Sequence, residues 1–542
     1  MSSAPQRAAL PPVLWALVPA LALFLVFPLA AFGQTPRENI LAASPDSALT
    51  ATIAGLPGER LLLEDAVLRA ADQATETRAA EAELDAATNA VRREKGAFDP
   101  ELFGTGDWSG SDTPTANLFA GADVLETETA DFTAGARMRL KLGTELIASV
   151  NSQRTNTNSD FASLNPEYQA FGALTLRQPL LKGFGPSARS ELSVAESNLV
   201  GAGALYDGAV LAVRAEVETV YWELYAAERN HAVTKLIRDR ASAFYEDAKL
   251  RAKAGMIGPS AVANAEFFLT EAEQAMLDTE EQMDRFSDRL ASLMGRRPAD
   301  VRYRSWDEPP REFRLVDQDS LVTAAKRHNP DLDALRAVAD SWMALEKGAV
   351  WDARPTLDIL GSIGGNGLSG TAQDVYFPGT PDPVRTDIDG NRGDSISQSF
   401  GRDYPTWNVG FVFAVPIGNR EGKGERDRLR AQIVRAEQDL LAGQRQLEEE
   451  VRAQHRELRR GSRRLEIATR GVAASIRQVE IGMLEYQNGR TTAFEVVRLA
   501  ADLATAQQRY SDALVRTASA AAVLRQLTGG WYPGNGNQGE PK

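Results

Sequence analysis

Apolar positions in the second half of the chain recur every seven residues: Ile433, Leu440 and Leu447, then, after a four-residue step, Val451, Leu458, Leu465, Val472, Val479 and Tyr486. A seven-residue repeat predicts left-handed coiled-coil contacts, and a four-residue insertion unwinds them locally. Val210, Val213, Val217, Val220 and Leu224 keep the same kind of spacing earlier in the chain. Both sets lie in stretches without internal proline, 186–254 and 421–488, each read as one helix. At about 1.5 Å per residue, each helix is roughly 100 Å long, which no compact domain accommodates. Shorter helical stretches at 259–295, 317–349, 491–527 and 62–95 add in pairs to nearly one long helix, so two stacked end to end would lie along it. The helices alone are equally consistent with two plain antiparallel coiled coils.

The same plan is written twice. Each half runs from an Ala-rich helical stretch into a strand-like segment, FDPELFGTGDW at 98–108 and ARPTLDILGSI at 353–363. A polar, Gly-rich interval follows, then an apolar strand ending in proline, LTLRQPLLKG at 174–183 and VGFVFAVPIG at 409–418. This divides the chain into a first repeat at 34–295, an equatorial linker at 296–316, a second repeat at 317–528 and a disordered tail at 529–542. Gly255 and Gly489 break the long helices at corresponding places and allow the reversing turns.

Val409, Phe411, Phe413 and Val415 alternate onto one apolar face, as in a lipid-facing strand or the buried side of a soluble hairpin. Strict alternation over 136–142, followed by Gly143-Thr144, adds a hairpin signal whose Arg137, Arg139 and Lys141 would line a lumen or a solvent face. The chain therefore carries four or six strands. Transmembrane barrels begin at about eight strands, so several chains must share one. The interval 364–406, rich in Gly, Ser, Asp, Asn and Pro, reads as a long exposed loop.

Composition narrows the chemistry. With 60 Lys+Arg against 74 Asp+Glu, the formal charge is −14, and no basic stripe exists to bind nucleic acid. The absence of cysteine removes disulfides, thiolate metal sites and a cysteine nucleophile, and His231, His328 and His455 stand too far apart for a local metal pair. Arg7 precedes an apolar run from Val13 to Gly33 that ends in Ala31-Phe32-Gly33, which predicts a signal peptide at 1–33 and an exported chain; an uncleaved anchor is the alternative. Gly365 to Gly370 matches a dinucleotide glycine pattern in letters, but no helix follows it. Asp387, Asp389, Asn391 and Asp394 resemble a calcium loop with Arg392 where the turn needs glycine. No nucleophile and base arrangement is present, so no enzyme activity and no cofactor are expected.

The signal peptide, the duplicated halves, RQPLLKGFG, AVPIGNREGKGERDRLRAQ and the tip LEYQNGRTTAFEVVRLAADLATAQQRYSDAL together resemble the TolC family of outer-membrane efflux proteins, over residues 60–528. The resemblance implies an α+β membrane protein and a homotrimer. Its long antiparallel coiled-coil helices would form an α-barrel across the periplasm, joined to a β-barrel shared among protomers in the lipid of the outer membrane. It further implies an exit duct for small-molecule efflux or protein secretion, working with a periplasmic adaptor protein and an inner-membrane transporter. Tyr486, Gly489 and Glu495 fall where the family has its gate tyrosine, turn glycine and first constriction carboxylate. Arg498 stands where some members have a second acidic residue, and Ala261 takes the matching position in the first half. Glu495 and Arg498, three apart on a helix, can instead pair with each other. The competing classes are a soluble periplasmic coiled-coil adaptor and a surface-exposed structural protein.

Overall fold

The computed structural model describes residues 45–117, 120–297, 301–310, 312–377, 381–488 and 490–533. The expected signal peptide and Gly489 lie outside the described residues. The first half runs α1 (Pro45–Ala54), β1 (Glu59–Leu61), α2 (Leu63–Gln73), α3 (Thr75–Gly96), β2 (Glu101–Pro114), β3 (Val124–Arg139), β4 (Glu145–Thr157), β5 (Leu164–Pro179), α4 (Ser190–Lys253) and α5 (Pro259–Leu293). After β6 (Tyr303–Ser305), the second half runs α6 (Gln318–His328), α7 (Pro330–Asp352), β7 (Thr356–Ala372), α8 (Arg392–Gly401), β8 (Tyr404–Ala414), α9 (Arg420–Gln487) and α10 (Ala493–Leu527).

The two long helices span 64 and 68 residues, and the heptad positions explain why they persist. Leu447, Val451, Leu458, Leu465 and Val479 on α9 are buried, as are Val213, Val217, Val220 and Leu224 on α4. Of the four shorter stretches, 259–295 and 491–527 are single helices, whereas 62–95 and 317–349 are each two helices rather than one. Pro330 drives the preceding residue out of the helical region, and Asn329, with ψ 120°, instead caps α7 by accepting from Leu332 N at 3.1 Å. Ala74 breaks the first-half stretch with ψ 140° and no proline, so no signal in the sequence marks it.

The sheet settles the strand count at six per chain. Its order is β2-β3-β4-β5-β7-β8, antiparallel throughout, with β2 and β8 at open edges. The extra hairpin belongs to the first half alone, which is why the repeat offset drifts from 255 residues (Thr75 to Pro330) to 234 (Pro259 to Ala493). Lys141 lies in the β3–β4 turn rather than in a strand.

Two further expectations are corrected. Much of 364–406 is ordered structure: β7 continues to Ala372, and α8 follows a capping box made by Asn391 and Asp394. The glycines that suggested a loop are there because α8 lies against the strand; a Cβ on Gly365 or Gly367 would overlap the backbone at Ser399 or Ser395. The tail is not disordered at its start, since Tyr532 is fully buried and its hydroxyl donates to Arg314 O at 2.7 Å.

At the equator, β1 pairs in parallel with β6, so the segment between the repeats is tied back to the chain start. Tyr221 of α4 anchors this pair: its hydroxyl donates to Leu61 O at 2.8 Å and accepts from Trp306 N at 2.9 Å and Asp307 N at 3.0 Å. Glu228 accepts from Ser305 N and Oγ, both at 2.8 Å, and burial raises its pKa. An ion pair between Arg525 and buried Glu218 joins the two halves.

Candidate functional site

Register sorts the sheet into two unlike faces. Leu102, Phe132, Leu174, Ile363, Trp407, Val409 and Phe411 share one of them. Phe411 and Trp407 are each 75% exposed there, a contiguous apolar surface that water does not favour. Glu101, Arg137, Arg139, Glu145, Arg177 and Asp358 share the other face. Arg137 forms a two-pronged pair with Glu101, at 2.8 and 2.9 Å. Arg177 donates to buried Asp358 at 2.7 and 2.9 Å and to Glu145 at 3.3 Å. Arg139 and Lys141 are exposed. Beyond Asn366, where pairing with β8 stops at Tyr404, the outer edge of β7 is completed by Gln398, which accepts from Leu368 N, and by Asp389, which accepts from Ala372 N. The acidic loop thus caps backbone, and among the described residues no group of three His, Cys, Asp or Glu side chains is placed to hold a metal ion.

At the opposite end, the two long helices turn back. Gly255 has φ +74° with open space around its Cα, so conformation rather than crowding requires glycine there. Met256 N donates to Arg251 O, and Arg490 N donates to Glu485 O, giving the two turns the same closing bond. Pro259 begins α5, while Thr492 caps α10 by accepting from Glu495 N.

Tyr486 crosses between the halves. Its hydroxyl donates to Asp247 Oδ2 at 2.7 Å, Arg251 Nε makes an ion pair with the same oxygen at 2.9 Å, and the Arg251 guanidinium stands 5.4 Å from the ring centre. Burial, then the Asp247 hydrogen bond and charge, push the Tyr486 hydroxyl up to about 12. Glu495 pairs within its own helix instead: Arg498 Nε donates to Oε2 at 3.1 Å and Nη2 to Oε1, while Nη1 stands 3.6 Å from Asp502. The Arg498 hydrogen bond holds the Glu495 carboxyl below the usual carboxylate range. Sequence reading missed Asp247 and Arg251, although their i, i+4 acid-then-base spacing at the first tip was a usable signal.

A sheet with one apolar face, standing on helices far too long for a compact domain, defines a membrane-anchored conduit protein. The model of the outer membrane efflux protein family matches residues 145–296 and 321–530, and the chain belongs to that family. It is an efflux duct component of the outer membrane that reaches across the periplasm. No curated protein sequence matches the chain. Among solved structures, it is similar to the CmeC outer membrane channel of Campylobacter jejuni, with 14% identity, 88% of this chain and 87% of that one covered, and a TM-score of 0.60. It is similar also to VceC from Vibrio cholerae (16% identity, 86% and 96% covered, TM-score 0.59) and to the open state of MtrE from Neisseria gonorrhoeae (16%, 86% and 89%, TM-score 0.55).

Proposed function

We propose that three copies of this chain close into one duct, with β8 of each protomer pairing to β2 of the next. The observation that carries this reading is the six-stranded sheet with two open edges and one apolar face, because backbone groups in lipid must be satisfied and an open edge cannot be. Three times six strands falls within the range of closed outer-membrane barrels. The apolar face then meets lipid, and the Glu101–Arg137 and Glu145–Arg177–Asp358 groups line the lumen. The long helices supercoil into a tunnel through the periplasm, with the hairpin tips at its entrance.

In this reading the tips form the gate. Tyr486, Asp247 and Arg251 fasten the second helical hairpin to the first in the resting state. Glu495, neutralised by Arg498, contributes a mixed-charge rather than purely acidic rim. An adaptor protein engaging the tips would release the lock, and an inner-membrane transporter would supply the cargo. Reconstitution of the purified protein into planar bilayers tests the duct: discrete conductance steps are expected, and a bilayer that stays silent at high protein concentration would overturn it.

A further inference from the structure

Below the equator, α4 packs against α5 on one side and α10 on the other, and α10 packs against α9. The helices therefore stand in the order α5-α4-α10-α9, with α5 and α9 as the two flanks. Each flanking helix turns a buried seam toward its neighbour, Ala265, Ala272, Met283 and Leu290 on α5, and Leu458, Leu465 and Val479 on α9. At about 100° per residue, the side opposite each seam follows from the sequence. On α5 that side carries Phe267, Glu271, Gln274, Asp278 and Glu281, and on α9 it carries Arg456, Arg460, Arg463, Ile467, Arg470 and Ile481; all of them are exposed.

The two outer sides are opposite in sign. Between 456 and 470, α9 holds six arginines against Glu457 and Glu466, whereas between 271 and 288, α5 holds seven carboxylates against Arg285. Of the six arginines, only Arg464 and Arg470 have an ion-pair partner among the described residues, Glu457 and Glu466 of the same helix. Arg456 and Arg460, Arg459 and Arg463, and Arg460 and Arg464 are like charges at i, i+4, an arrangement unfavourable to a helix standing alone. The levels also agree. At about 1.5 Å per residue, the acidic band lies roughly 20–45 Å from its turn and the basic band roughly 27–48 Å from its own, and the Tyr486–Asp247 contact keeps the two turns near one level. Nearer the turns, at roughly 10–14 Å on either helix, Phe267 is 68% and Ile481 57% exposed.

We propose that the α9 flank docks on the α5 flank of a second copy of this chain, with the arginine band against the acidic band and Ile481 beside the second copy's apolar flank position. The inference rests on the duct reading and runs in the same direction around the ring: β8 leads into α9, and α3, which leads into β2, packs on α4 as α5 does. Backbone pairing then closes the barrel while charge closes the tunnel wall below the equator, so salt loosens the wall without parting the barrel.

The chain has no cysteine, so one introduced pair reports the contact. Ala474 and Gln274 are exposed on the two facing sides, and the order of the helices keeps them on opposite flanks of one chain. With Ala474→Cys and Gln274→Cys together, a short bismaleimide should join the detergent-extracted full-length protein into covalent dimers and trimers. The yield should fall several-fold in 1 M sodium chloride, where the screening length is about 3 Å, while the native mass stays trimeric. Adding Arg460→Glu and Arg463→Glu should lower the yield as far at low salt, and adding Asp278→Arg and Glu281→Arg to that chain should restore it. A trimeric native mass without cross-links overturns the docking and leaves the duct standing, whereas a monomeric mass overturns both. Cross-linking indifferent to salt and to the charge reversals overturns the electrostatic seam.

Discussion

The bond between Tyr486 and Asp247 can be removed with a single oxygen. Tyr486→Phe keeps the ring, its place in the heptad seam and its contact with Arg251, and deletes only the hydroxyl that donates at 2.7 Å. A hydrogen bond to a charged acceptor is worth about 1.5–3 kcal/mol net. Tyr486 is only part-buried, and Asp247 keeps Arg251 as a partner; both put the loss at the lower end, about 1.5 kcal/mol per protomer. That is roughly tenfold in the balance between engaged and released tips, and about a thousandfold if three protomers release together. Single-channel recording reads this directly. Tyr486→Phe should show longer or larger openings than the unaltered protein, and Asp247→Ala, which also leaves Arg251 unpaired, should go further. Indistinguishable recordings from all three proteins would refute the lock.

The same hydroxyl sets a pH dependence. Its pKa is raised from 10 to about 12 in the engaged state, so the protonated form is favoured there; the contact is complete below about pH 10 and lost as pH rises toward 12. Conductance should rise over that window and stay flat in Tyr486→Phe. Asp358→Asn strips Arg177 of its buried partner, which should lower the heat resistance of the detergent-extracted assembly by about 2–3 kcal/mol per chain, since Arg177 itself is half exposed; an unchanged melting curve would contradict the pairing. Gly367→Val places side-chain atoms where the Ser395 carbonyl sits, so α8 should detach and become open to protease while the helices remain intact. Truncation after Thr528 removes fully buried Tyr532 and should cost about 3–5 kcal/mol of stability, the scale of deleting a large buried aromatic side chain, as measured by thermal unfolding.

How far the sequence could be read depended on the distance over which each feature is specified. The long helices were legible because Val451, Leu458 and Leu465 repeat locally and every turn reinforces the same face. The strand count was not, because β2 and much of β3 carry Gly, Ser, Thr and Asp on both faces, and alternation shows only where one face is apolar. Glycine misled at Gly365 and Gly367, where it marks a helix pressed against a strand rather than a flexible loop. Tyr532 was hidden by the two glycines before it, which allow the chain to turn back beneath the equator. At the tips, Tyr486 and the Glu495–Arg498 spacing were visible, but Asp247 lies 239 residues from Tyr486, a separation that no local pattern bridges.

The proposed duct requires this open sheet to be one part of a closed barrel shared by several copies. Native mass spectrometry of the protein extracted from outer membranes in mild detergent tests it most directly. Three chains per particle, without a stable monomer, is the predicted result. A particle containing one or two chains, with the sheet edges still open, would contradict the account.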